Sequence, residues 1–167
     1  MINSNMSEQE YTLEEISYSR KEDCRIMEAV LREWFKNPKI LNFVDPTLSY
    51  PFQFKKWAKL KYTSGQDILR TIVLKKGNWI IGHLSLCLDE GYAHMFHLFI
   101  DSDYRRKGLG KRMVLDMENY ASKIGYKTFR LNILLKNNAA LQLYDSLGYE
   151  KEEKQVSGSI KMLKRIE

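Results

Sequence analysis

The chain has 167 residues, of which 44% are hydrophobic, and it carries a net charge of +6. This composition suits a chain that buries a hydrophobic core, and no 18-residue apolar run of the kind that crosses a membrane is present. Two cysteines are too few for a disulfide framework, and no cluster of His and Cys has zinc spacing. We therefore expect a single domain over residues 11–167, after a flexible N-terminus at residues 1–10, with no metal site and no membrane partner.

The N-terminal part of the chain predicts a strand, a helix and a largely irregular segment. Tyr11–Tyr18 has the pattern of a strand, and Ser19-Arg20-Lys21-Glu22 has the pattern of a capping box at the start of a helix. Apolar residues then recur at helical spacing until Asn37-Pro38, which is expected to end the helix. Residues 39–65 are predicted to be irregular, apart from a helix near Gln53–Tyr62.

The rest of the chain predicts a sheet interrupted by two helices. One helix follows a glycine-rich loop and ends at Gly125, and the other runs from Asn137 to Gly148. Alternating apolar residues and turn residues predict the strands, of which the last pair closes around Ser157-Gly158. The predicted strands are Ile68–Lys75, Trp79–Leu88, Tyr92–Ile100, Lys127–Leu135, Tyr149–Gln155 and Ser159–Ile166.

The segment Asp103–Lys111 combines four cations with two glycines, directly before the first of these two helices. Glycine lets the backbone approach a ligand closely, and a loop that opens a helix presents unpaired N–H groups at the positive end of the helix dipole. These features predict a binding site for a phosphorylated ligand.

Two common phosphate-binding motifs do not match this segment. A P-loop needs Ser or Thr after its Gly-Lys pair, but Gly110-Lys111 is followed by Arg112. A dinucleotide-binding fingerprint needs a third glycine where this chain has Met113. Neither motif explains the loop.

A third pattern, Gln/Arg-x-x-Gly-x-Gly/Ala, matches at all its fixed positions, with Arg105, Gly108 and Gly110. This resembles the acetyl-CoA pyrophosphate loop of the GNAT N-acetyltransferases. A second stretch resembles the GNAT signature N-x-x-A-x-x-L-Y-x-x-x-G-F/Y. It matches the signature at Asn137, Ala140, Leu143, Tyr144, Gly148 and Tyr149. The motif region is similar to ribosomal-protein N-terminal acetyltransferases, although members that acetylate small molecules share the same motifs.

The resemblance implies the GNAT acyl-CoA N-acyltransferase fold. This is an α/β (α+β) architecture with a mixed, mostly antiparallel central sheet of about seven strands, flanked by four helices. The predicted element order, β-α-α-β-β-β-α-β-α-β-β, is that of this fold. The resemblance further implies that the central strands splay apart to admit coenzyme A.

The resemblance also implies acetyl-CoA as co-substrate and assigns residues to it. Leu98, Phe99 and Ile100 of the fourth strand would contact the pantetheine arm, and the N–H of Leu98 would polarise the thioester carbonyl. Asn137 would add a side-chain contact, although an N-cap role in the following helix is an equally good explanation. The loop residues assigned to the pyrophosphate are Arg105, Arg106, Lys107, Gly108, Leu109, Gly110 and Lys111.

The catalytic candidates are Tyr144, His94 and His97. Tyr144 matches the tyrosine that the family places near the cofactor sulfur, where a phenol can protonate the leaving thiolate. His94 stands eleven residues before Arg105, at the position of a glutamate base in several members, and histidine can serve as a base. His97 has the opposite strand parity unless a bulge intervenes, and Glu90 acting through water is a further alternative.

The resulting hypothesis is direct acetyl transfer from acetyl-CoA to a primary amine, in a small molecule or at a protein N-terminus. The alternative is a non-catalytic module of the same fold that binds or senses acyl-CoA. Basic residues are scattered and interleaved with Glu, so no nucleic-acid partner is expected. The polar N-terminus lacks a signal-peptide pattern and predicts a cytoplasmic protein. A homodimer is common in the family and is compatible with this sequence.

Overall fold

The computed structural model describes residues 10–63, 68–156 and 158–167. Seven strands and five α-helices lie within these ranges. The helices are α1 (Lys21–Trp34), α2 (Pro38–Val44), α3 (Phe54–Trp57), α4 (Leu109–Lys123) and α5 (Asn138–Ser146). The strands are β1 (Tyr11–Ile16), β2 (Ile68–Lys76), β3 (Trp79–Leu88), β4 (Ala93–Ile100), β5 (Thr128–Leu134), β6 (Glu150–Val156) and β7 (Ser159–Arg165).

The strands form one sheet in the order β1-β2-β3-β4-β5-β7-β6. Every neighbouring pair is antiparallel except β4 and β5, which run parallel. The predicted mixed, mostly antiparallel sheet of about seven strands is therefore confirmed.

The parallel pair β4–β5 is joined over only two positions, Ala93 with Phe129 and His94 with Arg130. Beyond these positions the two strands have no ladder pairs, so they separate toward the C-terminal end of β4. We call the place where they part the vertex, defined by His94 and Arg130. Unpaired backbone groups must find another partner, so a gap between two central strands is a place where a ligand can bind.

A β-bulge interrupts β4 close to this gap. Ser85 pairs with Phe96 and His83 with Phe99, so His97 and Leu98 have no Cα partners in the β3 ladder. His97 adopts φ = 55°, a left-handed conformation that is uncommon for a residue other than glycine. As a result, Phe96 and His97 both lie on the side of the sheet covered by α1 and α2.

A buried polar network holds the bulge. The Nε2 of His97 lies 2.6 Å from the carboxylate of Asp45, at the end of α2, and its Nδ1 lies 2.7 Å from the Tyr62 hydroxyl. The ring also stacks on Trp57, with centroids 4.0 Å apart. The carbonyl of His97 accepts a hydrogen bond from Nδ1 of His83 at 2.8 Å. These four side chains together fix the conformation of His97.

The ionisation of this network follows from its burial. Burial lowers the pKa of His97, so the imidazole is neutral and donates its Nε2 proton to Asp45. Burial alone would raise the pKa of Asp45, but hydrogen bonds from His97 and Thr47 outweigh it and lower that pKa to about 2. Burial lowers the pKa of His83 to about 3. The network therefore contains one carboxylate and two neutral imidazoles at neutral pH.

Two local predictions need correction. Arg20, not Ser19, is the N-cap of α1 and its side chain makes no capping bond, so the capping box is wrong; instead the Asp23 carboxylate accepts from the N–H of Ser17. Only residues 39–44 of the segment predicted to be irregular are helical, because Asn37 caps α2 through a hydrogen bond from the N–H of Lys39; residues 45–53 contain no helix or strand. The predicted turn at Ser157 and the predicted flexible residues 1–9 lie outside the described residues.

We expect the protein to lose stability as the pH falls from 7 to 5. His83 and His97 have lowered pKa values in the folded state, whereas an unfolded histidine titrates near 6.5. Below that pH the unfolded chain takes up protons that the folded chain cannot. The free energy of unfolding then falls by up to about 1.4 kcal/mol per pH unit for each histidine. Asp45 does not contribute here, since its stabilisation is lost only below the pKa of an unfolded Asp, near 4.

Urea denaturation at several pH values measures this effect. The free energy of unfolding should fall by about 2 kcal/mol between pH 7 and pH 5 from His83 alone. A free energy of unfolding that is constant across this range would contradict the buried, neutral histidines.

Candidate functional site

A cavity of about 800 Å³ lies against the C-terminal end of β4, beyond the last position at which β4 pairs with β5. One wall is the C-terminal end of β4, and the others come from the loop before α4, the start of α5 and the exposed side of α2. Of the residues predicted to bind acetyl-CoA, those that line the cavity are Leu98, Phe99, Ile100, Arg105, Arg106, Gly108, Leu109, Gly110, Lys111 and Asn137.

The loop before α4 presents backbone donors to this cavity. Gly108 is the N-cap of α4 with φ = 75°, and Arg106 also has a left-handed φ of 63°. The first intrahelical bond at this end runs from the N–H of Arg112 to the carbonyl of Gly108. The N–H groups of residues 109–111 therefore precede that bond and lie at the positive end of a 15-residue helix. This is the arrangement that binds phosphate groups.

Glycine is needed at two positions here for different reasons. At Gly108 there is open space for a side chain, but the left-handed backbone strains any residue that carries one. At Gly110 a Cβ atom would lie 3.3 Å from the Leu143 side chain. A larger residue would therefore press against Leu143, which also lines the cavity.

The loop cations are not equivalent. Arg105 donates from Nε to the carbonyl of Ile100 at 3.0 Å, and its guanidinium lies 5.4 Å from the centre of the Phe99 ring. These contacts hold Arg105 against β4 at the cavity. Lys107 does not line the cavity, and its Nζ lies 5.6 Å from the Tyr104 ring instead.

Asn137 combines the two roles considered for it. It caps α5, since its side-chain oxygen accepts a hydrogen bond from the N–H of Ala140 at 3.2 Å. It also lines the cavity. The capping bond fixes the side chain at the cavity edge.

His94 lies at the vertex and is only partly buried. Burial and then the positive charge of Lys61 lower the pKa of His94 to about 4; Asp89 opposes them, and Lys161 and Arg130 lower the pKa further by smaller amounts. The imidazole is therefore neutral at neutral pH and can accept a proton, although it is a weak base. The bulge places His97 on the same side of the sheet as His94, despite their spacing in the sequence.

Tyr144 is 4% exposed and belongs to the core between the sheet, α4 and α5. Its ring contacts Tyr149 edge-on, with centroids 5.2 Å apart. Burial, followed by the negative charge of Glu118, raises the pKa of Tyr144 above its ordinary value. The phenol is therefore protonated at neutral pH, but it is not among the residues that line the cavity.

Sequence reasoning missed one wall of the site. Lys39, Ile40, Phe43 and Val44 of α2 line the cavity, but this segment was expected to be irregular. The available signal was Asn37-Pro38, because Asn at the N-cap and Pro at the first position of a helix are typical of a helix start.

The described residues contain no group of three or more His, Cys, Asp or Glu side chains placed to hold a metal ion. Across the same residues, no helix combines the length and the apolar character that a membrane crossing requires.

Comparison with known proteins gives sequence relatives that match part of the chain. An uncharacterized N-acetyltransferase of Methanocaldococcus jannaschii is 34% identical over 74 residues, which cover 44% of this chain and 32% of that protein. The ribosomal protein bS18-alanine N-acetyltransferase of Escherichia coli is 39% identical over 62 residues, covering 37% of this chain and 40% of that protein. The matched part thus spans less than half the length of these curated relatives.

Solved structures extend the likeness to nearly the whole fold. The PaiA N-acetyltransferase of Thermoplasma acidophilum, crystallised in complex with coenzyme A, matches with a TM-score of 0.70 at 20% identity, over 93% of this chain and 99% of that chain. The family model described as the acetyltransferase (GNAT) family matches residues 25–149. This match covers the vertex, the glycine loop and both motifs, and the chain therefore belongs to the GNAT acetyltransferase family.

Proposed function

We propose that this protein is an acetyl-CoA-dependent N-acetyltransferase that transfers the acetyl group directly to a primary amine of a small molecule or a protein N-terminus. The observation that carries the proposal is the cavity beside the unpaired C-terminal end of β4, which joins an open strand edge to a helix N-terminus rich in cations. The cytoplasmic location of the protein and its possible homodimer stay predictions.

The residues of the cavity fit coenzyme A. The N–H groups of residues 109–111, with Arg105 and Arg106, suit a diphosphate. The backbone of residues 98–100 lies outside the β4–β5 ladder and offers hydrogen-bonding groups to an extended pantetheine arm. Asn137 adds a fixed amide at the same edge.

When bound, acetyl-CoA supplies an acetyl group activated as a thioester. The amine nitrogen forms a bond to the acetyl carbon, the carbon–sulfur bond breaks, the amine loses a proton and the thiolate gains one. Leu98 lies at the bulge and faces the cavity, so its N–H is the donor we assign to the carbonyl oxygen, where negative charge develops.

We assign proton acceptance to His94, the neutral imidazole at the vertex. Both ring nitrogens of His97 are already engaged, by Asp45 and Tyr62, so we assign His97 a positioning role in the bulge. A weak base suffices when part of the amine population is already neutral.

We assign proton donation to Tyr144, which matches the family motif and keeps its proton at neutral pH. One observation favours the alternative of a module that binds acyl-CoA without turnover: Tyr144 is packed in the core and does not line the cavity. In the enzyme, the end of the pantetheine arm must reach the Tyr144 hydroxyl. Mutation of Tyr144 therefore separates the two functions.

Gly108→Val should weaken coenzyme A binding at least about tenfold, because a β-branched residue strains the left-handed N-cap and distorts the N–H groups behind it. Isothermal titration calorimetry with coenzyme A measures this loss. Gly77→Val is the matched control, since Gly77 has φ = 60° in the turn between β2 and β3, away from the cavity. If Gly108→Val and the wild type bind coenzyme A with equal affinity, the loop is not part of the binding site.

Tyr144→Phe should lower kcat by about 100-fold or more, with coenzyme A affinity unchanged, because general acid catalysis is typically worth this much. Tyr149→Phe is the control, since it removes a neighbouring buried hydroxyl and should keep kcat within a few-fold. Steady-state kinetics with a responsive amine measures both. An unchanged kcat in Tyr144→Phe shows that this phenol is not the acid.

His94→Gln should lower kcat most at low pH and least at high pH. Without the imidazole, turnover depends on the fraction of amine that is already neutral, and this fraction rises with pH. Because the pKa of His94 is about 4, the wild-type base stays available from pH 6 upward. A kcat profile from pH 6 to 9 that coincides for the two proteins would contradict the assignment.

A further inference from the structure

The face of the sheet at the vertex carries an unusual group of cations. On β5, Phe129 and Leu131 point into the core beneath α4, so Arg130 points to the opposite face. His94 lies on that face too, because its neighbour Met95 is in the same core as Phe129. The cavity lining on β4 begins at Leu98, four residues beyond His94, and under the proposed function the acetyl group lies at the vertex end of this cavity.

Two lysines from other elements approach the same place. Lys161 of β7 is paired with Asn132, two residues along β5 from Arg130 and on the same face. Lys61 comes from the helical turn after α3, and its Nζ lies 4.3 Å from the centre of the Phe96 ring on β4. Lys61, Arg130 and Lys161 are each only partly buried, so a ligand can reach them. We call these three residues the vertex cations.

Among the described residues, the vertex cations differ from the other half-buried cations in having no carboxylate partner. Lys164 is bonded to Glu118, and Arg70 and Lys75 are paired with carboxylates of β1 and α4. In the described part of the chain, no ion pair involves a vertex cation. Arg130 lies with its guanidinium 4.1 Å from the Tyr92 ring centre, and its buried Nε has no hydrogen-bond partner.

Three half-buried cations that have no carboxylate partner within the described part of the chain attract an anion and repel a cation. Arg130 is the ladder partner of His94, and Lys61 lies over the Phe96 ring, whose centroid is 6.1 Å from that of His94, so the cations lie around the vertex. The Asp89 carboxylate acts on the same imidazole in the opposite sense, by less than Lys61 but by more than Lys161 or Arg130, so it offsets only part of the charge of the three cations together. A polyamine would therefore be disfavoured here, whereas an amine with a nearby negative group would be held.

Building on the proposed function, we propose that the acceptor is a small primary amine that carries an anionic group, a carboxylate or a phosphate, and that Lys61, Arg130 and Lys161 bind this group while the amine faces the vertex. The same charges lower the pKa of the bound amine, which increases its neutral, reactive fraction. This cluster selects the acceptor by charge.

Matched amines that differ only in charge test the proposal. O-phosphoethanolamine is compared with ethanolamine, and β-alanine with β-alaninamide, with spermidine as a polycation. We expect kcat/KM to be at least tenfold higher for the anionic member of one or both pairs, and the pair that shows it distinguishes phosphate from carboxylate. Equal rates within both pairs, or a preference for spermidine, would overturn the proposal.

Variants of the vertex cations show whether these residues cause the preference for the anionic amine. Lys161→Gln and Arg130→Gln should each reduce the preference for the anionic amine several-fold, while the KM for acetyl-CoA stays unchanged. Lys123→Gln is the charge-matched control. Lys123 is exposed at the end of α4, so this substitution removes one positive charge outside the vertex. A preference that survives both variants, or that falls equally in the control, would place the selectivity outside the vertex cations.

A binding measurement keeps this inference separate from the proposed function. Calorimetry with O-phosphoethanolamine and β-alanine, in the presence of saturating coenzyme A, needs no turnover. We expect at least one of them to bind the wild type at least tenfold more tightly than Arg130→Gln. Binding without acetylation would contradict the enzyme but keep the anion site, whereas acetylation of neutral amines without anion binding would contradict the anion site alone.

Discussion

The structure depends on a parallel strand pair that stops after two positions. β4 and β5 are joined at Ala93–Phe129 and His94–Arg130, and each continues without the other. The remaining edge of β4 keeps backbone donors and acceptors that an ordinary sheet would have satisfied. The vertex, the open edge of β4 that lines the cavity and the assignment of His94 follow from this separation, because the two strands part directly after His94.

The bulge in β4 is the second constraint, and it is held from outside the strand. A left-handed conformation at His97 costs free energy and persists only where the surroundings fix it. Here Asp45 and Tyr62 bind the ring from two sides and Trp57 covers it. Since Asp45 follows α2 directly and α2 also lines the cavity, the bulge and the cavity wall are fixed by the same contact.

Motifs with local causes could be predicted from the sequence. The glycine loop before α4 and the cap at Asn137 depend on neighbouring residues, and both were found where the sequence placed them. The start of α2 was missed because Asn37-Pro38 ends one helical pattern and also begins the next helix. The bulge could not be located, because it depends on the pairing of β3 with β4, which no local pattern records.

The site also divides into features that have local causes and features that depend on residues far apart in the sequence. The loop residues were predicted from their spacing, and almost all of them line the cavity. The partners of His97 lie at positions 45 and 62, and the vertex cations at positions 61, 130 and 161. Only the folded chain brings these residues together, so their charges and contacts could not be read from sequence separations.

Hydrogen–deuterium exchange with and without saturating coenzyme A tests the central claim most directly. If the open edge of β4 and the N-terminus of α4 hold the ligand, amide exchange should slow at residues 98–100 and 108–111, since their N–H groups gain acceptors. Protection confined to other parts of the chain, with these amides exchanging as before, would show that the separated strands are not where coenzyme A binds.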